Sequence, residues 1–465
     1  MPPLRQNGLS APDTSEWHTA RLIPTVGIRG QEEQEKRATS TLLAVMRAVP
    51  EFGHALLKEL GAPKSPVIET FTEVRFKDAA GKTVIPDGAI VCRRGKRAWT
   101  CLVEVKTAGA PLRPDQVNAY LDVARDNGFD GVLTISNQIT ASSSESPVAV
   151  DGRKLKRTSL WHLSWWRVLT DAIVQHRYRG ISDPDQAWIL GELIAYFDSG
   201  VSGAGGFEDM GDKWVAVRKA AHDGTLRQND VEARFVAERW EEFTQYLCLG
   251  LAQDLGRSVI APRPRGQATA ARVDESVKQL VSVGELAAVL RVPDAVGDIR
   301  IRADLRARRT LTSVAIDAPG EGRAKSRISW LLRQLSEAPD DLRVEAAFPN
   351  ARETTSALLA DARENPEKLL YVADPKREPR SFTLTLARAM GQKRGKAEGS
   401  FVRETRAQTF DFYRDIVQKL KPWQPRPPKL RDTDTAPAPE VPSPEPPPFT
   451  DADVRDVGEA SDPAA

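Results

Sequence analysis

The chain has 465 residues, of which 40% are hydrophobic and 28% charged. That length suits about two to three domains with their own cores, which excludes a peptide-scale or wholly disordered protein. The sequence has no run of the roughly 18–20 apolar residues that a membrane helix needs, and Met1–Ala20 lacks a signal-peptide pattern, so we expect a cytoplasmic protein without membrane partners. The three cysteines form no CxxC pair and the five histidines have no zinc-finger spacing, which excludes disulfide frameworks and thiolate zinc sites.

The elements before residue 200 are indicated by apolar spacing and by capping residues. After a flexible N-terminus at 1–15, we predict a domain over 16–199 in the order α-β-β-β-α-β with added helices. Its predicted elements are a helix at Gln31–Ala48, a strand at Val67–Phe76, a hairpin at Thr83–Thr107, a helix at Pro114–Asn127, strands at Gly131–Ser136 and Leu160–Leu163, a helix capped by Ser164, and a helix from Ser182 to Phe197.

Glycine and serine dominate residues 200–206, which predicts a flexible linker. Residues 207–420 are predicted to form a second, α+β domain. Its expected elements are a helix from Asp230 to about Asp254, alternating strand sequence over Gly284–Ala318, a helix through Ile328–Leu335, strands at Val344–Phe348 and Phe382–Leu386, and a helix at Val402–Leu420.

Residues 421–465 hold twelve of the 33 prolines and few aliphatic residues, which predicts a disordered, proline-rich acidic tail. From Arg431 onward the net charge is −7, which leaves +9 for the first 430 residues, a surplus that suits a polyanionic partner. The tail could solubilise the chain, dock a protein partner through its prolines, or imitate a nucleic acid.

The hairpin turn can be located at Gly95 and Lys96, because glycine tolerates the positive φ of a tight turn. In that register Asp87 faces Glu104 directly across the hairpin, with Cβ atoms about 4.5–5.5 Å apart. Side chains alternate along a strand, so Lys106 points to the same face as Glu104. One face of the hairpin is therefore expected to gather two acids and a lysine.

Valine, leucine and isoleucine surround this group, so both strands are expected to be mostly buried. Two carboxylates that face each other in a low-dielectric setting repel, and one takes up a proton unless a cation is present. Oxygen ligands without histidine or thiolate favour a hard ion such as Mg²⁺ or Mn²⁺. A lysine beside such an ion suits metal-assisted phosphodiester hydrolysis.

Three segments in this region carry a resemblance: Ile85-Pro-Asp-Gly88, Glu104-Val-Lys-Thr107, and Gln116-Val-Asn-Ala-Tyr120. Together they resemble the PD-(D/E)xK nuclease superfamily, in particular its RecB-like branch with a QxxxY element, over about residues 16–199. The resemblance implies a restriction-endonuclease-like α/β core. It also implies that Gln116 and Tyr120 contact the region of the scissile phosphate.

The resemblance further implies that Asp87 and Glu104, with the backbone carbonyl of Val105, hold the metal, and that Lys106 positions the attacking water. These residues have three alternative interpretations. The first is a purely structural cross-strand salt bridge beside a turn. The second is a degenerate member of the fold that binds nucleic acid without cutting it, and the third is a small-molecule or protein-binding module.

Members of this superfamily often add a glutamate from the first helix. The inward stripe of that helix includes Ala38 and Thr39, and stepping back three or four residues from them selects Glu35. Glu32 is the second choice and Glu33 the third. The alternative is that Glu35 only provides first-turn charge favourable to the helix dipole.

Basic residues of the second domain are candidates for binding nucleic-acid phosphates, with DNA favoured over RNA. They lie on a predicted strand face and in a predicted loop, either of which could instead be an ordinary solvated surface. The candidates are Arg300, Arg302 and Arg306 on the strand face and Lys393, Arg394 and Lys396 in the loop.

Overall fold

The predicted antiparallel hairpin forms from Gly88–Arg94 and Arg97–Val105 within a five-stranded sheet, whereas Thr83 and Val84, predicted as part of it, pair with Lys77 and Phe76 instead. The computed structural model describes residue 23 and residues 30–64, 67–78, 81–95, 97–264, 267–395 and 397–425. The predicted N-terminus at 1–15, the tail from residue 426 and Lys396 lie outside the described residues.

The strands before residue 200 are β1 (Val67–Thr72), β2 (Phe76–Lys77), β3 (Thr83–Val84), β4 (Gly88–Arg94), β5 (Arg97–Val105), β6 (Gly131–Ser136) and β7 (Ser159–Ser164). The main sheet has the order β1-β4-β5-β6-β7. Its first three strands are antiparallel and β5, β6 and β7 are parallel, which makes the sheet mixed. β2 and β3 pair separately, so the predicted strand Val67–Phe76 ends at Thr72.

The helices of this region are α1 (Gln31–Ala48), α2 (Pro50–Lys58), α3 (Pro114–Asp126), α4 (Trp165–Val174) and α5 (Pro184–Asp198). Strand alternation separates two cores on opposite faces of the sheet. Val103 and Val105 share one core with Leu42 of α1, whereas Leu102 shares the other with Val117 of α3. The hairpin therefore lies between α1 and α3, and residues at its end can reach both helices.

Residues after 206 build a second sheet and further helices. The helices are α6 (Trp214–His222), α7 (Val231–Leu255), α8 (Thr269–Ser282), α9 (Ala324–Gln334), α10 (Leu359–Glu364) and α11 (Phe401–Asp415). The strands are β8 (Glu285–Leu290), β9 (Ile299–Asp304), β10 (Arg309–Asp317), β11 (Arg343–Ala347), β12 (Thr354–Leu358) and β13 (Ser381–Ala389). The sheet is antiparallel, in the order β12-β11-β13-β10-β9-β8.

The predicted alternation in β9 is confirmed, because Ile299, Ile301 and Ala303 are fully buried while Arg300 and Arg302 are exposed. Helices α2, α6, α8 and α10 and strand β12 are not predicted by the sequence analysis. The protein is thus an α/β structure with a mixed sheet and a second sheet domain. No described helix is long and apolar enough to cross a membrane.

The described residues up to Trp423 belong to one compact unit. Trp166 of α4 packs against Tyr246 of α7, with ring centroids 4.8 Å apart. Ser202, in the segment predicted as a flexible linker, is fully buried. The 200–206 segment packs because backbone carbonyls, which composition does not reveal, provide its contacts to the first sheet.

Candidate active site

The hairpin register brings the two predicted acids to the same level of the sheet. Gly88 pairs with Val103 and Arg94 with Arg97, so Asp87 continues the ladder opposite Glu104, as predicted. One carboxylate oxygen of Asp87, Oδ2, accepts a hydrogen bond from the backbone N–H of Val105 at 2.7 Å. This contact fixes the Asp87 carboxylate beside the end of β5.

The glycine after Asp87 is required by the packing of the sheet. A Cβ atom at Gly88 would lie 2.6 Å from Leu43 Cδ1 of α1 and 2.9 Å from the carbonyl oxygen of Phe71 in β1. Both distances are shorter than a normal contact, and the second involves backbone that cannot rotate away. The Pro-Asp-Gly sequence therefore holds Asp87 where α1, β1 and β4 meet.

Glu104 is a buried carboxylic acid whose Oε1 forms an ion pair with the ammonium of Lys106. Its side chain is 1% exposed, and neither carboxyl oxygen has a hydrogen-bond partner of good geometry among the described residues. Burial, followed by the charge of Asp87, raises the pKa of Glu104 to about 7. The predicted repulsion between the two acids is thus present, and the structure contains a carboxyl group that a cation would stabilise.

The ammonium group of Lys106 lies among oxygens from three residues. Its Nζ atom is 2.8 Å from Glu104 Oε1, 3.0 Å from the backbone carbonyl of Val105 and 3.3 Å from Glu35 Oε2. Burial lowers the pKa of Lys106, but the charges of Glu104, Asp87 and Glu35 outweigh that effect, so its pKa is raised overall. Lys106 is therefore a stably charged cation at the end of the hairpin.

Glu35 is the glutamate of α1 that reaches this group. Its side chain is 17% exposed, and its second oxygen lies 3.5 Å from the backbone N–H of Thr107. The other two candidates point elsewhere, since Glu32 pairs with Lys36 and Glu33 with Arg37. Helical periodicity thus selected the glutamate that contacts Lys106.

The predicted QxxxY residues lie on α3, which packs on the Glu104 face of the sheet. The amide of Gln116 donates a hydrogen bond to the Tyr120 hydroxyl at 2.8 Å, and that hydroxyl donates to the carbonyl of Ile85 at 3.2 Å. Burial and then the charge of Glu104 raise the pKa of the buried Tyr120. Tyr120 therefore ties α3 to the Pro-Asp-Gly turn, while Gln116 remains only partly buried.

A strap formed by residues 200–206 closes one side of the site. Gln34, next to Glu35, donates to the carbonyl of Val201 at 2.6 Å and accepts from the Thr107 hydroxyl at 3.2 Å. The carbonyl of Gly203 accepts hydrogen bonds from the backbone of Ala108 and the side chain of Asn137, each at 3.0 Å. The sequence analysis missed Gln34. Its position next to Glu35 on α1 was the only signal that could have pointed to it.

A cavity of about 710 Å³ lies between this strap and the loop that follows Lys106. Its lining includes Gln34 and Ala108, which adjoin the site, and also Asp209 and Arg239, which come later in the sequence. Arg239 stacks over Phe207 and pairs with Glu242 at 2.7 Å. The second part of the chain thus contributes residues to a space that adjoins the candidate site.

The residues at the end of the hairpin fit a hard divalent cation that keeps part of its water shell. Among the described residues, no three His, Cys, Asp or Glu side chains come together as a metal cluster. Mg²⁺, however, is commonly bound through one or two carboxylates with waters in the remaining positions. The buried oxygens of Glu104, the carboxylate of Asp87 and the Val105 carbonyl form such an oxygen set, with the Lys106 ammonium beside them.

The predicted basic strand face is balanced by acids that lie on neighbouring strands. Arg302 Nη1 lies 3.7 Å from Glu285 Oε1, and Asp304 shares the same face. In register, the open face of the second sheet carries four arginines and four acids: Arg300, Arg302, Arg309, Arg343, Glu285, Asp304, Asp317 and Glu345. Its net charge is therefore close to neutral.

The other basic candidates lie in different surroundings. Arg306 is in the turn after β9, where its guanidinium donates to the carbonyls of Val281 and Ser282 at the end of α8. Arg394 pairs with Asp209 at 3.2 Å, whereas no carboxylate lies within ion-pair distance of Lys393 in the described part of the chain.

Comparisons of the chain with protein-family models, with curated protein sequences and with solved structures give no match. The resemblance noted above therefore depends on the motif residues and on their geometry.

Proposed function

We propose that this protein is a divalent-metal-dependent nuclease with a PD-(D/E)xK core. The observation that carries the proposal is the meeting of three oxygens from Glu104, Val105 and Glu35 around the ammonium of Lys106. The carboxylate of Asp87 lies directly across the hairpin from Glu104. Residues far apart in the sequence thus meet at the end of the hairpin, which supports the proposal.

A divalent cation held by Asp87, Glu104 and the Val105 carbonyl would polarise a phosphoryl group and acidify water. The chain's own residues have separate tasks. Lys106 is charged, and it can orient a water molecule or offset charge on a phosphate. Glu35 and the Val105 carbonyl restrict the position of the ammonium, and Tyr120 holds the turn that carries Asp87.

The proposed substrate is a polynucleotide, and DNA is the first to test. A second candidate function, a non-catalytic nucleic-acid-binding protein on the same fold, is favoured by the short Lys106–Glu104 pair. An ion pair of 2.8 Å with one side chain 1% exposed can serve a purely structural role. Cleavage separates the two functions.

The test incubates the full chain with plasmid, linear duplex DNA, single-stranded DNA and RNA, with Mg²⁺, Mn²⁺ or EDTA. We expect cleavage of at least one substrate that requires metal and is lost in Asp87→Asn. Asp126→Asn is the matched control, because it removes an exposed carboxylate at the end of α3. Metal-dependent cleavage that persists in pure Asp87→Asn contradicts the site, and intact wild-type protein that cuts none of the four substrates contradicts the function.

A further inference from the structure

Three segments that each carry a basic residue meet beside α6, and the side chains of Arg218 and Arg308 lie close enough for their charges to interact. Arg218 of α6 donates from Nη1 to the carbonyl of Gln392 at 2.9 Å, which brings the helix against the loop that carries Lys393. The backbone N–H of Met390, at the start of that loop, donates to the carbonyl of Arg308 at 2.9 Å. Arg218, Arg308 and Lys393 are called the α6 cluster below.

Three acidic residues around the α6 cluster already have partners. Asp223 pairs with Lys219 at 3.6 Å, and Asp209 pairs with Arg394 at 3.2 Å. Asp304 accepts a hydrogen bond from the backbone N–H of Ala307 at 2.7 Å, within the turn that also contains Arg308. In the described part of the chain, none of the three cations has a carboxylate within 4.0 Å.

The cluster therefore holds repelling charges without compensation. Burial, and then the neighbouring charge of Arg308, lower the pKa of Arg218. An anion that binds between these side chains would remove that repulsion. The open face of the second sheet differs, because its four arginines share that face with four acids.

The backbone of Arg308 gives an independent indication. Its φ is +53°, in the left-handed region that residues with a Cβ atom rarely adopt. This conformation costs about 1–2 kcal/mol for an ordinary L-residue, and glycine would avoid the cost. The turn between β9 and β10 thus carries an exposed arginine close to Arg218, although glycine would suit the backbone better.

We propose that the α6 cluster binds the phosphate backbone of the nucleic-acid substrate. This inference rests on the proposed nuclease function and assigns a binding surface to the second part of the chain. Guanidinium and ammonium groups are the usual donors to phosphate oxygens, and contacts of this kind carry no sequence information. The cluster would therefore grip the backbone without selecting bases.

The test measures binding of labelled duplex DNA to the full chain by fluorescence anisotropy in EDTA, at several salt concentrations. The double variant R218Q/R308G is compared with wild type and with Arg333→Gln, which removes one exposed charge on α9. Two lost phosphate contacts lower the log–log salt slope by about 1.8. Arg333→Gln should keep the wild-type slope. Because glycine relieves the strained turn, Arg308→Gly alone should fold at least as stably as wild type and still lower the slope by about 0.9, so a change in this single variant is not caused by misfolding.

Unchanged affinity and slope in R218Q/R308G would overturn the inference, and this result is independent of whether the wild-type protein cleaves. If the salt slope of R218Q/R308G is lower than that of wild type, but wild type never cleaves, the result would support the inference and contradict the nuclease function. A wild-type protein that binds no nucleic acid at all overturns both.

Discussion

The pH dependence of stability in the metal-free protein tests whether Glu104 is a strained, buried acid. Glu104→Gln is the informative change, because glutamine has nearly the shape of the protonated carboxyl group but cannot ionise. In wild type, burial and the charge of Asp87 raise the pKa of Glu104 from its ordinary value of 4.5 to about 7. The variant lacks this titration.

The sign follows from proton linkage. Below pH 4.5 the group is protonated in both the folded and the unfolded chain, and its contribution to stability is fully present. Between pH 4.5 and pH 7 the unfolded chain ionises first, so the folded state progressively loses that contribution. At about 1.4 kcal/mol per pKa unit, the complete loss is about 3 kcal/mol.

The assay is urea unfolding of wild type and Glu104→Gln in EDTA, at intervals from about pH 5 to pH 8. We expect the stability of the variant relative to wild type to rise by most of this 3 kcal/mol across the range. Glu32→Gln is the matched control, because it makes the same substitution at a side chain that is 84% exposed. A pH-independent difference between wild type and Glu104→Gln would refute the argument for a strained acid.

Three further predictions concern the neighbours of Glu104. Lys106→Ala should abolish or strongly depress turnover but retain Mn²⁺ binding in titration calorimetry, and loss of metal binding would mean that Lys106 is structural. Glu35→Gln should lower kcat more than Glu32→Gln does, because Glu35 contacts the Lys106 ammonium and Glu32 pairs with Lys36. Equal rates for both variants would mean that Glu35 only provides charge at the start of α1. Gln34→Ala removes the 2.6 Å hydrogen bond to the carbonyl of Val201 in the strap. The variant should be cleaved faster within 200–206 in limited proteolysis and should have a lower kcat. An unchanged proteolysis rate would show that other contacts hold the strap.

The hairpin and its acids could be predicted because local rules determine them. A glycine at φ +60° sets the turn at Gly95, and the turn fixes every cross-strand pair, including Asp87 with Glu104. Helical periodicity likewise selected Glu35 from three glutamates. Glu35 reaches Lys106 because the apolar stripe of α1 packs on the sheet, and Lys106 directly follows the end of β5.

The strap and the charge balance of the second sheet could not be predicted by local rules. A Gly/Ser segment predicts mobility, but the contacts of Val201 and Gly203 use backbone carbonyls that every sequence has. The arginines of β9 looked unpaired because Glu285 lies on another strand, and strand order is not evident from alternation. Arg218 was missed for the same reason, since its neighbours come from distant segments.

Mn²⁺ titration calorimetry of the full chain tests the central claim, a divalent-cation site at Asp87 and Glu104, most directly. We expect wild type to bind the ion and pure, folded Asp87→Asn to lose that binding, while Asp126→Asn binds as wild type does. Absence of binding by wild type, or equal binding by wild type and Asp87→Asn, would contradict the account.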